Sequence, residues 1–286
     1  MTEEEYRKEW ESGLHKTEYN DCRFAENRVL FARQWINNKL PGVNIDNPQN
    51  IVDWINNYKI YDMDPLKQIC ADKISVIDEL NKRGLGDIVI YPYYPFRCTE
   101  FTMDMFNSIP DGKWIFKCNH GSGWNMKFEK KPGCNPKYLF KKLNEWLSLD
   151  YAFIGGWEWQ YHKIPRGIIV QPCLSDGPLM DWSFWCEGGE VEYIQLTRKL
   201  GKNLEEYFAF TDANGEKPDL YIGIEPMRYR LLDKEKTIYE KMKPYISKLA
   251  KGFKFVRVDL YYVNGNIYFG ELTFTPCSGK LVLINA

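Results

Sequence analysis

Apolar residues in the first 60 positions recur at helical spacing, in stretches such as Asn27–Leu40 and Ile51–Tyr58, so this region reads as helical. Pro65 then opens an amphipathic helix predicted to run unbroken to Arg83, with Gly84 and Gly86 stopping it. A short strand is expected at Ile88–Tyr91. Trp114–Cys118 and Trp124–Phe128 read as two strands joined by a glycine-bearing loop, and Asn135-Pro136 starts a helix that ends near Leu149. After Pro165 the pattern becomes strand-like, at Ile168–Leu174, Trp182–Cys186, Val191–Leu196 and Tyr207–Thr211, before a helix near Lys234–Lys251. Helices mixed with mainly antiparallel strands predict an α+β fold rather than a doubly wound parallel sheet.

The last part of the chain carries the clearest chemistry. Val256, Val258 and Leu260 alternate with Arg257 and Asp259, and the returning segment places Leu272 and Phe274 against Glu271 and Thr273. Between them Asn264-Gly265 marks a hairpin turn. A two-residue turn puts Asp259 and Glu271 on opposite faces of the ribbon. A three-residue turn that includes Asn266 sets them side by side, with Arg257 and Thr273 on the same face. Two carboxylates on one rigid ladder make a hard-oxygen site suited to Mg²⁺. A solvated face with loose ion pairs is the plainer reading of the same residues.

Three further segments are candidates. Lys73 falls within the stripe formed by Leu66, Ile69, Cys70, Ile77 and Leu80, where a lysine either aims its ammonium at an anion in a cleft or snorkels to water. Lys117 ends a strand and leads into Cys118-Asn119-His120-Gly121-Ser122-Gly123. That loop is small enough for backbone N–H groups to close over phosphates, or for a tight turn and nothing more. Its spacing matches neither the Walker loop nor the dinucleotide fingerprint. Ile168-Ile169-Val170-Gln171-Pro172-Cys173-Leu174 could present backbone groups to a flat base, or be a core strand.

Composition narrows the field without choosing a function. The 286 residues carry a net charge of −1 and no basic run, which argues against a nucleic-acid partner. Eight scattered cysteines without a CxxC pair, an acidic Met1–Glu5 and no apolar stretch of membrane-spanning length lead us to expect free thiols and a cytoplasmic protein. Ten Trp and nineteen Tyr would suit a carbohydrate or adenine surface, although a thick core explains most such residues.

Taken in order, Ala71-Asp72-Lys73, Lys117–Gly123, Phe255–Leu260 and Phe269–Phe274 resemble the TupA-like ATP-grasp family, which is associated with cell-surface polysaccharide genes and often labelled glycosyltransferase. The resemblance covers about residues 60 to 279. It implies an ATP-grasp fold, with two α+β lobes holding ATP, a helical region at 1–64, a lid lobe at about 114–165 and a metal-bearing lobe at about 166–286. Lys73 and Lys117 would contact the phosphates or adenine, and Asn119–Gly123, with His120, Gly121 and Ser122, would form the lid. Gln171, Pro172, Cys173 and Leu174 would be the adenine hinge. Asp259, Glu271 and Thr273 would hold Mg²⁺, and Arg257 would stabilise the transferring phosphoryl group.

The implied activity is an ADP-forming carboxylate–amine ligase acting through an acyl phosphate, on a uronic acid or other carboxylate of a surface-glycan precursor. The alternatives are a small-molecule or sugar kinase on the same fold and a non-catalytic glycan-binding relative. The chain departs from the family's usual pattern at Gln171 (commonly glutamate), Ser183 (commonly lysine) and Ile77 (commonly arginine), and it ends soon after Gly279, where relatives usually continue.

Overall fold

The computed structural model describes residues 21–154, 156–177, 179–200, 205–216, 220–222, 227–280 and 283–285. The helical expectation for residues 1–20 lies outside them. The helices are α1 (Asp21–Lys39), α2 (Ile51–Tyr61), α3 (Pro65–Ala71), α4 (Val76–Lys82), α5 (Met103–Ser108), α6 (Lys137–Leu147), α7 (Tyr151–Ile154) and α8 (Asp233–Ala250). The strands are β1 (Tyr94–Arg97), β2 (Gly112–Cys118), β3 (Asn125–Lys130), β4 (Gly167–Pro172), β5 (Asp181–Glu187), β6 (Glu190–Leu200), β7 (Glu205–Asp212), β8 (Leu220–Ile222), β9 (Met227–Arg228), β10 (Phe255–Val263), β11 (Asn266–Thr273) and β12 (Leu283–Asn285). The mixture of helices with two larger antiparallel-rich sheets is the α+β fold expected from the pattern.

The chain forms two compact units. Unit 1 takes residues up to Gly42, Lys59–Val76 and Tyr91–Cys173, and unit 2 takes Val43–Tyr58, Ile77–Ile90 and Leu174 onward. Unit 1 is built on the antiparallel sheet β1-β4-β2-β3. Phe116 and Cys118 pair with Val170 and Ile168, and all four side chains are buried with Phe96, Phe101, Phe106 and the α6 leucines 139, 143 and 147. The leucines sit at i, i+4 and i+8, the spacing that gives a helix one apolar face. Strand alternation then sends Ile115, Lys117, Ile169 and Gln171 to the sheet's other face.

Unit 2 is built on the six-stranded sheet β11-β10-β5-β6-β7-β9. On one face Val256, Val258 and Leu260 are fully buried beside Trp182 and Phe184, and Phe184 stacks on Tyr239 of α8 at 5.6 Å. On the other face Trp185, Phe210 and Phe255 pack with Val52 and Ile55 of α2. The second face also carries Arg257 and Asp259, which alternate with the valines.

Two expected elements differ. The helix predicted over Pro65–Arg83 is two helices, because Asp72 leaves helical geometry (φ −75°, ψ 111°). Its side chain accepts from the Ile74 amide at 3.0 Å and its carbonyl from Val76 at 2.9 Å, so it starts the second helix and ends the first. Ile69, assigned to the buried stripe, is consequently 45% exposed. The strand expected at Ile88–Tyr91 does not form. Gly86–Ile88 is a 3₁₀ turn, and pairing begins only at Tyr94, where β1 lies at the sheet edge that tolerates Pro95.

Candidate functional site

In unit 2, Asn264 (φ +52°) and Gly265 (φ +88°) form a two-residue turn, with Val263 opposite Asn266. By register alone this turn would place Asp259 and Glu271 on opposite faces. The ladder slips between Asp259 and Leu260, however, so that Asp259 faces Glu271 while Leu260 faces Phe269, and Gly270 becomes the extra residue of a β-bulge. A Cβ on Gly270 would lie 2.8 Å from the Asp259 carbonyl oxygen, so only glycine fits this approach without displacing backbone. The alternative of a three-residue turn is thereby overturned, while the side-by-side carboxylates it implied are present for another reason.

The resulting cluster is dense. Arg257 grips Asp259 with two bonds, Nε to Oδ1 at 2.8 Å and Nη2 to Oδ2 at 2.6 Å, and its Nη2 lies 3.6 Å from Glu271 Oε1. The Thr273 hydroxyl donates to Glu271 Oε1 at 3.3 Å and accepts from Arg257 Nη2 at the same distance. Burial pushes the Asp259 carboxyl up to about 6; Arg257 pulls it down and Glu271 raises it again. Burial opposes the Arg257 charge too, yet Asp259 and Glu271 outweigh it and the guanidinium stays firmly protonated.

Two polar neighbours complete this cluster: Ser183, noted above only as a departure from the family's pattern, and Gln195, which no sequence pattern singles out. Ser183 on β5 pairs with Asp259 and hydrogen-bonds its carboxylate, and Gln195 on β6 pairs with Ser183. Gln195, Ser183, Asp259 and Glu271 therefore form one polar row across four strands. Gln195 is held by Trp185 Nε1 at 3.1 Å and by Thr197 at 3.1 Å.

In unit 1, Lys73 is not on a helical stripe. It sits in the turn after Asp72, its amide bonded to the Asn119 carbonyl at 3.2 Å and its Nζ to the Gly121 carbonyl at 2.6 Å. The Asn119–Gly123 loop is thereby tied to the α3–α4 junction. Asn119, fully buried, donates from Nδ2 to Asp72 Oδ1 at 2.7 Å and to the Pro165 carbonyl at 2.9 Å. Arg97 binds Asp72 Oδ2 at 2.7 Å. Gly121 is needed at its place, since a Cβ there would meet the Trp124 ring at 2.6 Å and Tyr151 at 2.9 Å. Ser122 is half-buried and Gly123, at φ +71°, is exposed.

His120 has no exposure, with Nδ1 at 3.1 Å from Asn119 Oδ1 and Nε2 at 3.2 Å from the Trp146 carbonyl. Burial drives its pKa down to about 3, helped by Arg166 and Lys73 and opposed by the Trp146 and Leu149 carbonyls. The ring therefore anchors the loop to α6 as a neutral imidazole. Lys117 and Gln171 share the sheet face opposite the core, two pairs apart along the ladder. At the end of β4, Pro172 is exposed, and the Cys173 amide already bonds the Lys113 carbonyl at 3.2 Å; Leu174 follows, half-buried.

Among the described residues no group of three or more His, Cys, Asp or Glu side chains is arranged to hold a metal, so a cation here would rest on Asp259, Glu271 and the Thr273 hydroxyl alone. No helix among them is long and apolar enough to cross a membrane. Cys98, Cys118, Cys134 and Cys186 are free thiols.

No curated protein sequence matches the chain. Among solved structures it is similar to a D-alanine–D-alanine ligase from Bacillus anthracis complexed with ATP (14% identity, TM-score 0.44, 72% of this chain and 55% of that chain covered). It is also similar to an L-amino acid ligase from Bacillus licheniformis (15%, 0.44, 85% and 53%) and a D-alanine–D-alanine ligase from Helicobacter pylori (15%, 0.43, 74% and 56%). The chain thus spans little more than half the length of these ligases. A family model described as TupA-like ATPgrasp matches residues 54–285, most of the sequence and every candidate residue above. The chain belongs to the TupA-like ATP-grasp family.

Proposed function

We propose that the protein is an ATP- and Mg²⁺-dependent carboxylate–amine ligase that releases ADP and phosphate. The observation that carries this reading is the bulge at Gly270, which brings Asp259 and Glu271 together beside Arg257 and Thr273. The cluster fits a hard divalent cation: its donors are all oxygens, and each carboxylate keeps acceptor capacity beyond its contact with Arg257. Asp259, Glu271 and Thr273 would hold Mg²⁺, which when bound neutralises charge on the nucleotide phosphates.

The chain's own residues suit the remaining chemistry. A substrate carboxylate oxygen attacks the γ-phosphorus, the bond to the β,γ-bridging oxygen breaks, and ADP leaves. An amine nitrogen then attacks the acyl carbon, the C–O bond to phosphate breaks, and the amine loses a proton as the amide forms. Arg257 meets the negative charge that develops in both steps, held in orientation by its two bonds to Asp259. Lys73, Lys117 and the Gly121-Ser122-Gly123 amides would receive the phosphates, and the backbone of Gln171–Leu174 the adenine. Positioning and charge neutralisation suffice, with no covalent nucleophile on the protein.

By family context the carboxylate is that of a uronic acid or a similar group on a surface-glycan precursor. The test is coupled detection of ADP and phosphate with uronic acids and amines supplied singly and together. Release that requires both substrates supports the ligase. AMP release contradicts it, and a stable phosphorylated product assigns a kinase instead. A second reading, a glycan-binding relative without turnover, is favoured by Ser183, which leaves β5 without a cation beside Asp259. Glycan binding unchanged by Asp259→Asn, with no nucleotide affinity, would establish that reading.

A further inference from the structure

Arg166, just before β4, is a buried cation in unit 1 that the reading above does not use. Its side chain is 9% exposed, and both terminal nitrogens are buried without a hydrogen-bond partner. Its nearest carboxylate, Asp150 Oδ2, is 3.9 Å away, too far for a hydrogen bond. Asp150 is already committed, with Oδ2 at 2.9 Å from His162 Nδ1 and Oδ1 accepting from the Ala152 amide at 3.0 Å. A guanidinium has five donors in a planar fork, and burying one with its terminal donors unmet is costly. Native structures reserve such a group for a ligand, an ion or a reaction.

The surroundings say which kind of ligand. The start of β4 lies beside the end of β2, where Cys118 pairs with Ile168 and the Asn119 amide bonds the Gly167 carbonyl at 3.1 Å. Arg166 is therefore at the glycine-loop end of the sheet, where it acts on Cys118 and His120, the same two groups that Lys73 acts on. His120 is neutral, and burial lifts the Cys118 thiol to about 12, so it is neutral as well. Two cations, Lys73 and Arg166, are left with Asp150 as the carboxylate acting on Arg166, while Asp72, bonded to Asn119, is already paired with Arg97. The opposite end of β4, at Gln171–Cys173, is about 16 Å away along the strand.

We propose that Arg166 contacts an oligophosphate at the Asn119–Gly123 loop, its fork taking oxygens that no protein group supplies. The proposal rests on the ATP reading for its biological ligand, but its chemistry is that of any linear polyphosphate. The nitrogens are covered in this conformation, so binding includes a shift of the loop or of the Arg166 side chain. Gly123 makes such a shift cheap for the loop, and the Lys73–Gly121 bond is the contact it would exchange.

The experiment compares wild type, Arg166→Gln and Arg166→Lys. Thermal melting with tripolyphosphate, without nucleotide or Mg²⁺, reads the anion site alone, and calorimetry with Mg²⁺-ATP and with adenosine reads the rest. Tripolyphosphate should raise the wild-type melting temperature in a dose-dependent way. Arg166→Gln should weaken that binding at least tenfold, Arg166→Lys severalfold, and adenosine affinity should stay the same. If Arg166→Gln fails to fold, the Lys variant decides, because it keeps the charge and loses the fork. Tripolyphosphate binding equal in all three proteins overturns the assignment, as does a response to glucuronate in place of tripolyphosphate. A site that takes tripolyphosphate through Arg166 while Mg²⁺-ATP does not bind leaves the inference standing and removes the ligase reading. Tight Mg²⁺-ATP binding indifferent to Arg166 does the reverse.

Discussion

Asp259 faces Glu271 across the β10–β11 ladder even though the turn that joins their strands has two residues, because Gly270 is passed over by the register. The bulge has a single-atom test. In Gly270→Ala the new methyl must push against the Asp259 carbonyl from 2.8 Å. The expected loss is about 1–3 kcal/mol of stability, the usual cost of forcing extra volume into a packed place. Mg²⁺ affinity should fall with it. Urea unfolding and magnesium titration check both, and an alanine variant equal to wild type in each would show that the bulge needs no glycine.

The Asp259 pKa of about 6 predicts a proton–metal competition. Below that value the carboxyl is protonated and must release its proton to a cation, so Mg²⁺ affinity should rise with pH and level off above about pH 6. Titrations at pH 5 and pH 7.5 should differ by roughly tenfold, since one proton displaced per bound cation changes affinity tenfold for each pH unit below the pKa. Equal affinities at the two pH values would mean that Asp259 takes no part.

His120 gives a stability prediction of defined sign. Its pKa is about 3 in the folded chain against 6.5 for the free side chain, so between these values the unfolded state binds more protons. The stabilisation is complete above pH 6.5 and is lost as pH falls toward 3, at about 1.4 kcal/mol per pH unit within the window. His120→Gln, which can still donate to the Trp146 carbonyl, should show a shallower decline between pH 7 and pH 5 in guanidinium unfolding. Parallel declines would assign the pH effect to other groups.

In unit 2, Arg83 closes the end of α8. Its Nη1 donates to the carbonyls of Lys248 at 3.0 Å, Leu249 at 3.2 Å and Lys251 at 3.1 Å, while Nε binds Glu79 at 2.8 Å. These carbonyls have no partner within the helix. Arg83→Met keeps much of the apolar stem and should cost about 1.5–3 kcal/mol, the range for hydrogen bonds to a charged group. A change within 0.5 kcal/mol, about the scatter of surface substitutions, would contradict the capping role.

Residue patterns reveal the elements better than their junctions. The Asn264-Gly265 turn, the alternating Val256–Leu260 strand and the leucines of α6 follow from local rules, and the structure has each of them. The bulge was invisible because a strand glycine is compatible with several backbone paths, and only the closeness of the Asp259 carbonyl selects one. The break at Asp72 was hidden by an apolar spacing that continues across it, and the partners that hold the break, Asn119 and Arg97, come from distant segments. Pro92 and Pro95 masked β1, since proline argues against a strand except at an edge. Gln195 carries no charge to single it out, Ser183 is marked only by the family resemblance and not by its own chemistry, and Arg166 stands out only once its donors are seen to be buried.

Together Asp259 and Glu271 are proposed to bind a metal–nucleotide complex. The most direct test is calorimetric titration of Mg²⁺-ATP into wild type and Glu271→Gln, with Asp259→Asn as a second variant. Glu271 is the safer first change, because its carboxylate lies 3.6 Å from Arg257 whereas Asp259 holds that guanidinium with two bonds. The expected result is Mg²⁺-dependent binding by wild type and at least a tenfold loss in a Glu271→Gln protein that melts at the wild-type temperature. Folded wild type that does not bind Mg²⁺-ATP, or a Glu271→Gln variant that binds it equally well, would contradict it.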